Sequence, residues 1–291
     1  MELYKRYVVS QFGDINTFFM QELPIPTPKP DEVLVKSLVA GISFADLLMR
    51  QGVHPQRRNP PFTLGWDVVG EIVSVGVNVS DWHIGQRVGA LVIYGGYAEY
   101  VCIPQHLLVS VPHDVDPAAV TTLLYDGMVA YQMIHRIAKA QTGEIALIHG
   151  AAGSVGTLLL QLCRLADIKT IGTASSAKHH QLRHLGAIPI DYKSEDFVSV
   201  IQHSDEKGVS MVFDGVGGWN VLRSYRVLHP HGRLVVFGLS AILTNGQRNW
   251  GNILATILSY GLVFITNILP LKRRVSLYSI QMAQKRHFDW Y

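Results

Sequence analysis

Cysteine is scarce: Cys102 and Cys163 are the only two in 291 residues, and they lie far apart in the chain. A disulfide scaffold and any multi-cysteine zinc site are excluded, and the usage suits a reducing compartment. Charge is scarce too, at 16% of residues, which leaves no acidic or basic arm and no disordered tail. The net charge of +3 is scattered along the chain and too small to point to nucleic acid. No signal peptide is read in the polar opening residues, so the expected location is cytoplasmic. Internal repeats are missing. What is abundant is apolar: 48% hydrophobic residues, enough for a sizeable core, in a length comfortable for two domains. One run from Ile253 to Leu271 has no Asp, Glu, Lys or Arg and is followed by Lys272, Arg273 and Arg274. It reaches the length of a membrane span. Thr256, Ser259, Tyr260, Gly261, Thr266, Asn267 and Pro270 dilute it, so it reads as a buried element or a subunit interface in preference to membrane contact.

The rhythm of the chain changes near its middle. Residues 1–115 read as all-β, with short alternations such as Glu32-Val33-Leu34-Val35-Lys36 between Pro- and Gly-rich turns. A helical window follows Asp116-Pro117, where Asp can cap and Pro can take the first helical position. From Glu144 strands alternate with helices. Ile145–His149, Thr170–Ala174, Met211–Asp214 and Arg233–Phe237 read as strands, and Gly153–Ala166 and Ala177–Leu185 as helices. Apolar strands alternating with helices imply a parallel sheet covered on both faces. The expected division is 1–115, 116–270 and a short tail, 271–291.

The most informative motif is Gly150-Ala151-Ala152-Gly153-Ser154-Val155-Gly156, which follows a strand and opens a helix. Small residues there permit a tight turn and close approach of backbone to a pyrophosphate, whose charge the helix-start N–H groups meet. This makes the second region a Rossmann-type, doubly wound α/β domain. A site for NAD places Asp or Glu about 20 residues past the loop start, on the ribose 2′-OH. Here the window reads Gly172-Thr173-Ala174-Ser175-Ser176-Ala177-Lys178, with no acid. The hydroxyls of Ser175 and Ser176 and the Lys178 cation suit a 2′-phosphate, hence NADP(H). The alternative, that Ser175 caps a helix and Lys178 is solvated, stays open.

Several stretches resemble one family in order and spacing. They are Gly41-Ile42-Ser43-Phe44-Ala45-Asp46, Gly65-Trp66-Asp67, Gly95-Gly96-Tyr97-Ala98-Glu99-Tyr100, the glycine loop, and Asp214-Gly215-Val216-Gly217-Gly218. The chain resembles the zinc-free branch of the medium-chain dehydrogenase/reductases, the quinone oxidoreductase-like proteins. The resemblance implies a GroES-like β-barrel substrate domain before the Rossmann domain, NADPH as cofactor and a homodimer. It adds Tyr192 beside Lys178 at the 2′-phosphate, and Gly215, Phe237 and Gly238 to the cofactor lining. It also implies that 271–291 begin a return to the substrate domain that stops short. The zinc branch has Cys where Ser43 stands, and His and Glu where Trp66 and Asp67 stand; a hydroxyl and an indole do not hold zinc, so no metal is expected.

Three positions depart from the family. Ser43 replaces the usual Asn, Val129 the usual Thr, and His54 a Tyr frequent in quinone reductases; Val129 cannot hydrogen-bond. Ser43 and His54 are the candidate catalytic proton or hydrogen-bond donors, against barrel packing for Ser43 and an exposed turn for His54. Asp46 and Asp67 read as structural carboxylates, and both cysteines as small core residues. The expected function is NADPH-dependent reduction of a quinone or an activated C=C in a small-molecule substrate, without zinc. The competing reading is a catalytically weak nucleotide-binding protein acting as a sensor or membrane-associated partner.

Overall fold

The computed structural model describes residues 2–244, 247–268 and 272–286. It divides into two compact units, Met1–Tyr125 and Asp126–Tyr291.

The first unit is built from antiparallel ladders. Strands β1 (Leu3–Val9), β2 (Phe18–Pro24) and β4 (Phe62–Thr63) form one sheet in the order β2-β1-β4. Strands β3 (Glu32–Val39), β5 (Asp67–Val75), β6 (Arg87–Leu91), β7 (Tyr100–Pro104) and β8 (Leu108–Ser110) form another in the order β7-β3-β5-β6-β8. Inward residues such as Val33, Val35, Val68, Ile72, Val88 and Ile103 make its core. The region expected to be all-β also holds a helix, α1 (Phe44–Arg50). It starts on a capping box in which Ser43 and Asp46 satisfy each other's backbone N–H groups. Helix α2 (Pro117–Thr122) is capped by Asp116, as the Asp-Pro pair predicts, and packs on β3 and β5. The first unit therefore runs past residue 115, because this helix covers its sheet.

The second unit carries a six-stranded sheet. Its strands are β9 (Ile145–His149), β10 (Lys169–Ala174), β11 (Ile188–Asp191), β12 (Val209–Asp214), β13 (Leu228–Val236) and β16 (Arg274–Leu277), all parallel, in the order β11-β10-β9-β12-β13-β16. The order reverses between β9 and β12, which opens a crevice at their carboxyl ends. The intervening helices are α3 (Met128–Tyr131), α4 (Ser154–Leu165), α5 (His179–His184), α6 (Phe197–Gln202), α7 (Asn220–Arg226), α8 (Trp250–Ile265) and, at the end, α9 (Ile280–Arg286). A two-residue ladder joins β14 (Leu243–Thr244) to β15 (Gln247–Arg248). Leu147, Val212, Leu234 and Val236 lie at the centre of the core.

The tail departs from the expectation drawn from the sequence. The described part of 271–291 does not leave for the first unit. Strand β16 pairs with β13, Val275 buries in the sheet's core, and the buried Tyr278 hydroxyl donates to Gln132 Oε1 at 2.8 Å. The open edge of β13 is satisfied in this way. Residues 253–265 of the apolar run lie in helix α8, which turns hydroxyls inward and apolar side chains outward, leaving the expected subunit interface as a proposal. Thr256, Ser259 and Val263 are buried, whereas Leu254, Ile257, Leu258, Leu262 and Ile265 are each about half exposed or more. The buried hydroxyls find backbone acceptors, Thr256 on Asn252 O (2.8 Å) and Ser259 on Thr256 O (3.0 Å). Leu269, Pro270 and Leu271 of that run, and Asp289, Trp290 and Tyr291, lie outside the described residues. Among the described residues no helix is long and apolar enough to cross a membrane.

Candidate dinucleotide and substrate sites

The glycine loop sits at the carboxyl end of β9, whose five residues are all buried. Gly150 turns the chain at φ +66°, a conformation that L side chains resist. The Ala151 N–H then bonds Thr173 O (3.0 Å) on β10, and the Gly153 N–H bonds Gly150 O (2.9 Å). Gly156 lets α4 approach the turn, since a Cβ there would lie 2.7 Å from Ala151 Cα. Helix α4 begins at Ser154 with Gly153 as N-cap and no side chain capping it. Its first-turn N–H groups have no intrahelical partner, and Gly153 and Ser154 are exposed. Donors and helix dipole together make an anion site.

The residues expected around a 2′-phosphate follow β10. Ser175 opens a short 3₁₀ turn, Ser176–Lys178, without a side-chain capping bond; its carbonyl accepts from the Lys178 N–H at 2.8 Å. Ser176 and Lys178 are exposed, and so is Tyr192, just past β11. The ladder pairs Ala174 with Asp191, which brings to this turn a carboxylate that the sequence window did not contain. Asp191 is held below the usual carboxylate range by the Lys193 N–H and by the Ser194 and Ser176 hydroxyls, with His179 nearby.

Beyond the crevice's other wall, Gly215, Phe237 and Gly238 do come together. A Cβ on Gly215 would lie 2.8 Å from the Phe237 ring, and one on Gly238 2.6 Å from Gly215 Cα. Underneath runs a buried polar chain that sequence reasoning missed. His149 Nδ1 lies 3.1 Å from Thr173 Oγ1, and its Nε2 lies 3.0 Å from Ser224 Oγ. Ser224 donates to Asp214 Oδ2 at 2.8 Å, and Asn220 donates to the same oxygen at 3.0 Å. The other oxygen, Asp214 Oδ1, accepts from the Val216 and Gly217 N–H groups. Residues from β9, β10, β12 and α7 meet here only in three dimensions, and no sequence spacing announces them.

In the first unit Ser43 is committed to the cap of α1. Its hydroxyl lies 3.0 Å from Asp46 Oδ2. Asp46 also accepts from the Tyr97 hydroxyl (2.8 Å) and the Gly65 N–H, and Asp67 accepts from the Gly41 N–H (2.7 Å). Both are buried structural carboxylates, bound to backbone as expected. Burial raises the Asp46 carboxyl against these hydrogen bonds, and burial beside Asp46 raises the Tyr97 phenol.

His54 is half-buried, packed edge-on to Trp66 at 5.7 Å between ring centroids, and burial pushes its pKa down to about 4. Its Nδ1 accepts from the Gln56 N–H (3.2 Å), so the neutral ring carries its proton on Nε2. Trp66 is 2% exposed and stacks on Tyr125, yet its indole N–H has no hydrogen-bond partner among the described residues. A buried donor left unpaired is costly and calls for a ligand group or water. Val129 is buried. Cys163 is fully buried and Cys102 partly so, with burial pushing their thiols up to about 12 and about 11. Among the described residues no three His, Cys, Asp or Glu side chains are grouped to hold a metal ion.

Known proteins share this arrangement. Residues 29–113 match the alcohol dehydrogenase GroES-like domain family, and residues 154–269 match the zinc-binding dehydrogenase family. The human synaptic vesicle membrane protein VAT-1 homolog is 34% identical over 251 residues, which cover 85% of this chain and 64% of that protein. This chain thus spans less than two thirds of that relative's length. A 2-haloacrylate reductase from Burkholderia sp. is 30% identical over 239 residues, covering 79% of this chain and 72% of the enzyme. The structure of a quinone oxidoreductase from Pseudomonas syringae superposes with a TM-score of 0.81 at 27% identity, covering 97% of this chain and 83% of that one. With the parallel sheet, the glycine loop and the GroES-like unit in place, the chain belongs to the medium-chain dehydrogenase/reductase family of oxidoreductases, in its quinone oxidoreductase-like branch.

Proposed function

We propose that the protein is a zinc-independent, NADPH-dependent reductase of a quinone or an electron-poor C=C bond. The observation that carries this reading is the uncapped, glycine-lined start of α4 at the point where the sheet order reverses. The residues fit the group. The amides of Ser154, Val155 and Gly156 meet the pyrophosphate, and Gly215, Phe237 and Gly238 line the cofactor on the other side. Ser175, Ser176, Lys178 and Tyr192 meet the 2′-phosphate, with Lys178 supplying the attracting charge and the ionised Asp191 opposing it.

A bound nicotinamide supplies hydride, and the protein supplies orientation, exclusion of water and hydrogen bonds to the oxygen that gains charge. A neutral His54 is a poor proton source at pH 7, so it acts through its Nε2–H as a donor to a substrate oxygen. The Trp66 indole is a second neutral donor, without a partner among the described residues. Ser43 is the weaker candidate, since its proton is held by Asp46. In this reading Met1–Tyr125 is the substrate unit, the apolar face of α8 is covered by a second copy, and the free thiols suit the reducing cytoplasm.

One observation favours the alternative of a weakly catalytic nucleotide-binding protein: Val129 is buried and offers no hydrogen bond where the family has Thr. Following NADPH absorbance over a panel of benzoquinones, naphthoquinones, enones and 2-haloacrylates separates the two. Turnover of at least one electron-poor substrate in metal-free buffer is expected. NADPH binding without oxidation by any of them supports the alternative, and zinc-dependent alcohol oxidation contradicts both.

A further inference from the structure

The buried chain under the glycine loop has a direction. Thr173 Oγ1 accepts from the Gly150 N–H at 3.3 Å, so its single proton goes to the other neighbour, His149 Nδ1. Ser224 spends its proton on Asp214 Oδ2, so it must accept from His149 Nε2. The sequence of donations is Gly150 N–H to Thr173, Thr173 to His149, His149 to Ser224 and Ser224 to Asp214. Every side chain in it is at most 3% exposed, so the links between these side chains are shielded from water, while the Gly150 amide at the head of the chain is part-buried. A neutral imidazole with its proton on Nε2 is the one form that completes this chain. A doubly protonated ring would face a second donor at Thr173, and burial opposes its charge.

We propose that His149 is a positioning residue for dinucleotide binding: through Thr173 it fixes the Gly150 amide, and hence the turn that aims the start of α4, while through Ser224 and Asp214 it locks that turn to the Val216–Gly217 loop opposite. The inference rests on reading the glycine loop as the dinucleotide site. It adds that the two walls of the crevice are set as one unit by a single tautomer. The mechanism is orientation, since no atom of His149 need touch the cofactor.

Two measurements on the full chain test it. Nitrogen-15 spectra of the histidine-labelled protein at pH 7 should show His149 neutral and protonated on Nε2; an Nδ1-protonated or charged ring overturns the proposal whatever the variants do. NADPH titration calorimetry, on folded protein well below the melting temperature, gives the second. His149→Phe and Thr173→Val should each weaken binding at least tenfold. His149→Gln, which keeps one acceptor and one donor, and Thr173→Ser, which keeps the hydroxyl, should stay within threefold of wild type. A protein carrying both His149→Phe and Thr173→Val should bind no worse than the weaker single variant, because one broken link already opens the chain. Unchanged binding in either folded variant, or losses that multiply in the double variant, contradicts the proposal. Wild-type protein that binds no dinucleotide removes the underlying reading of the loop; wild-type binding with indifferent variants removes only the role of His149.

Discussion

Lys178 and Asp191 carry opposite charges at the end of neighbouring strands, and they pull cofactor choice in opposite directions. Lys178→Ala should weaken NADPH binding about tenfold and leave NADH nearly unchanged, since one charge-assisted hydrogen bond is worth about 1.5–3 kcal/mol. Asp191→Asn should tighten NADPH binding by about threefold by removing a like charge. Fluorescence titration with both cofactors checks the pair; equal changes for NADPH and NADH would mean that these residues act through the fold. His54 yields a stability prediction. Burial moves its pKa from 6.5 to about 4, so between those values the unfolded chain binds a proton that the folded chain refuses. Its contribution is intact above pH 6.5, falls as pH drops and levels off below about 4, at a cost of about 3 kcal/mol. Urea unfolding of wild type and His54→Gln at pH 7 and pH 4.5 should show a shallower pH dependence in the variant, and parallel curves would refute it. The turn that carries Ser175, Ser176 and Lys178 was legible in sequence because it follows one strand directly. Asp191 was not, because it reaches them only through the register of β10 against β11.

At the scale of elements, Gly150 and Gly156 do different work. Gly150 needs a left-handed backbone but has open space around it, so Gly150→Ala should cost about 1–2 kcal/mol of stability. Gly156 needs room, because its Cβ would press on Gly150 O and Ala151 Cα, both backbone atoms that cannot step aside. Gly156→Ala should therefore displace α4 and weaken dinucleotide binding more than tenfold, beyond the effect of Gly150→Ala. Melting curves with and without NADPH measure both, and equal loss of cofactor-induced stabilisation in the two variants would contradict this division. The loop, α4 and the central strands were legible because apolar runs, glycines and helical spacing coincide there. Helix α1 was not: it has only seven residues, and its Ser43–Asp46 capping box lies inside a run of strand-like segments. The His149 chain was invisible for a deeper reason, since its partners come from four elements that only the parallel sheet assembles.

At the scale of the molecule, the two-unit plan and the doubly wound sheet followed from the change of rhythm after Glu144, whereas the tail did not. The tail closes the sheet as β16, and α8 presents Leu254, Ile257, Leu258 and Leu262 outward. Covering that face with a second copy predicts a dimer at micromolar concentration. Leu258→Glu with Leu262→Glu should shift it towards monomer in light scattering, and an unchanged mass would place the dimer contact elsewhere or show that the face is not an interface. The proposed function rests on NADPH binding in the crevice at the carboxyl ends of β9 and β12. Calorimetric titration of the intact protein with NADPH and with NADH tests it most directly. One NADPH per chain is expected, bound at least tenfold more tightly than NADH, with the preference shrinking as salt rises. Binding of neither dinucleotide, or a preference for NADH, would contradict it.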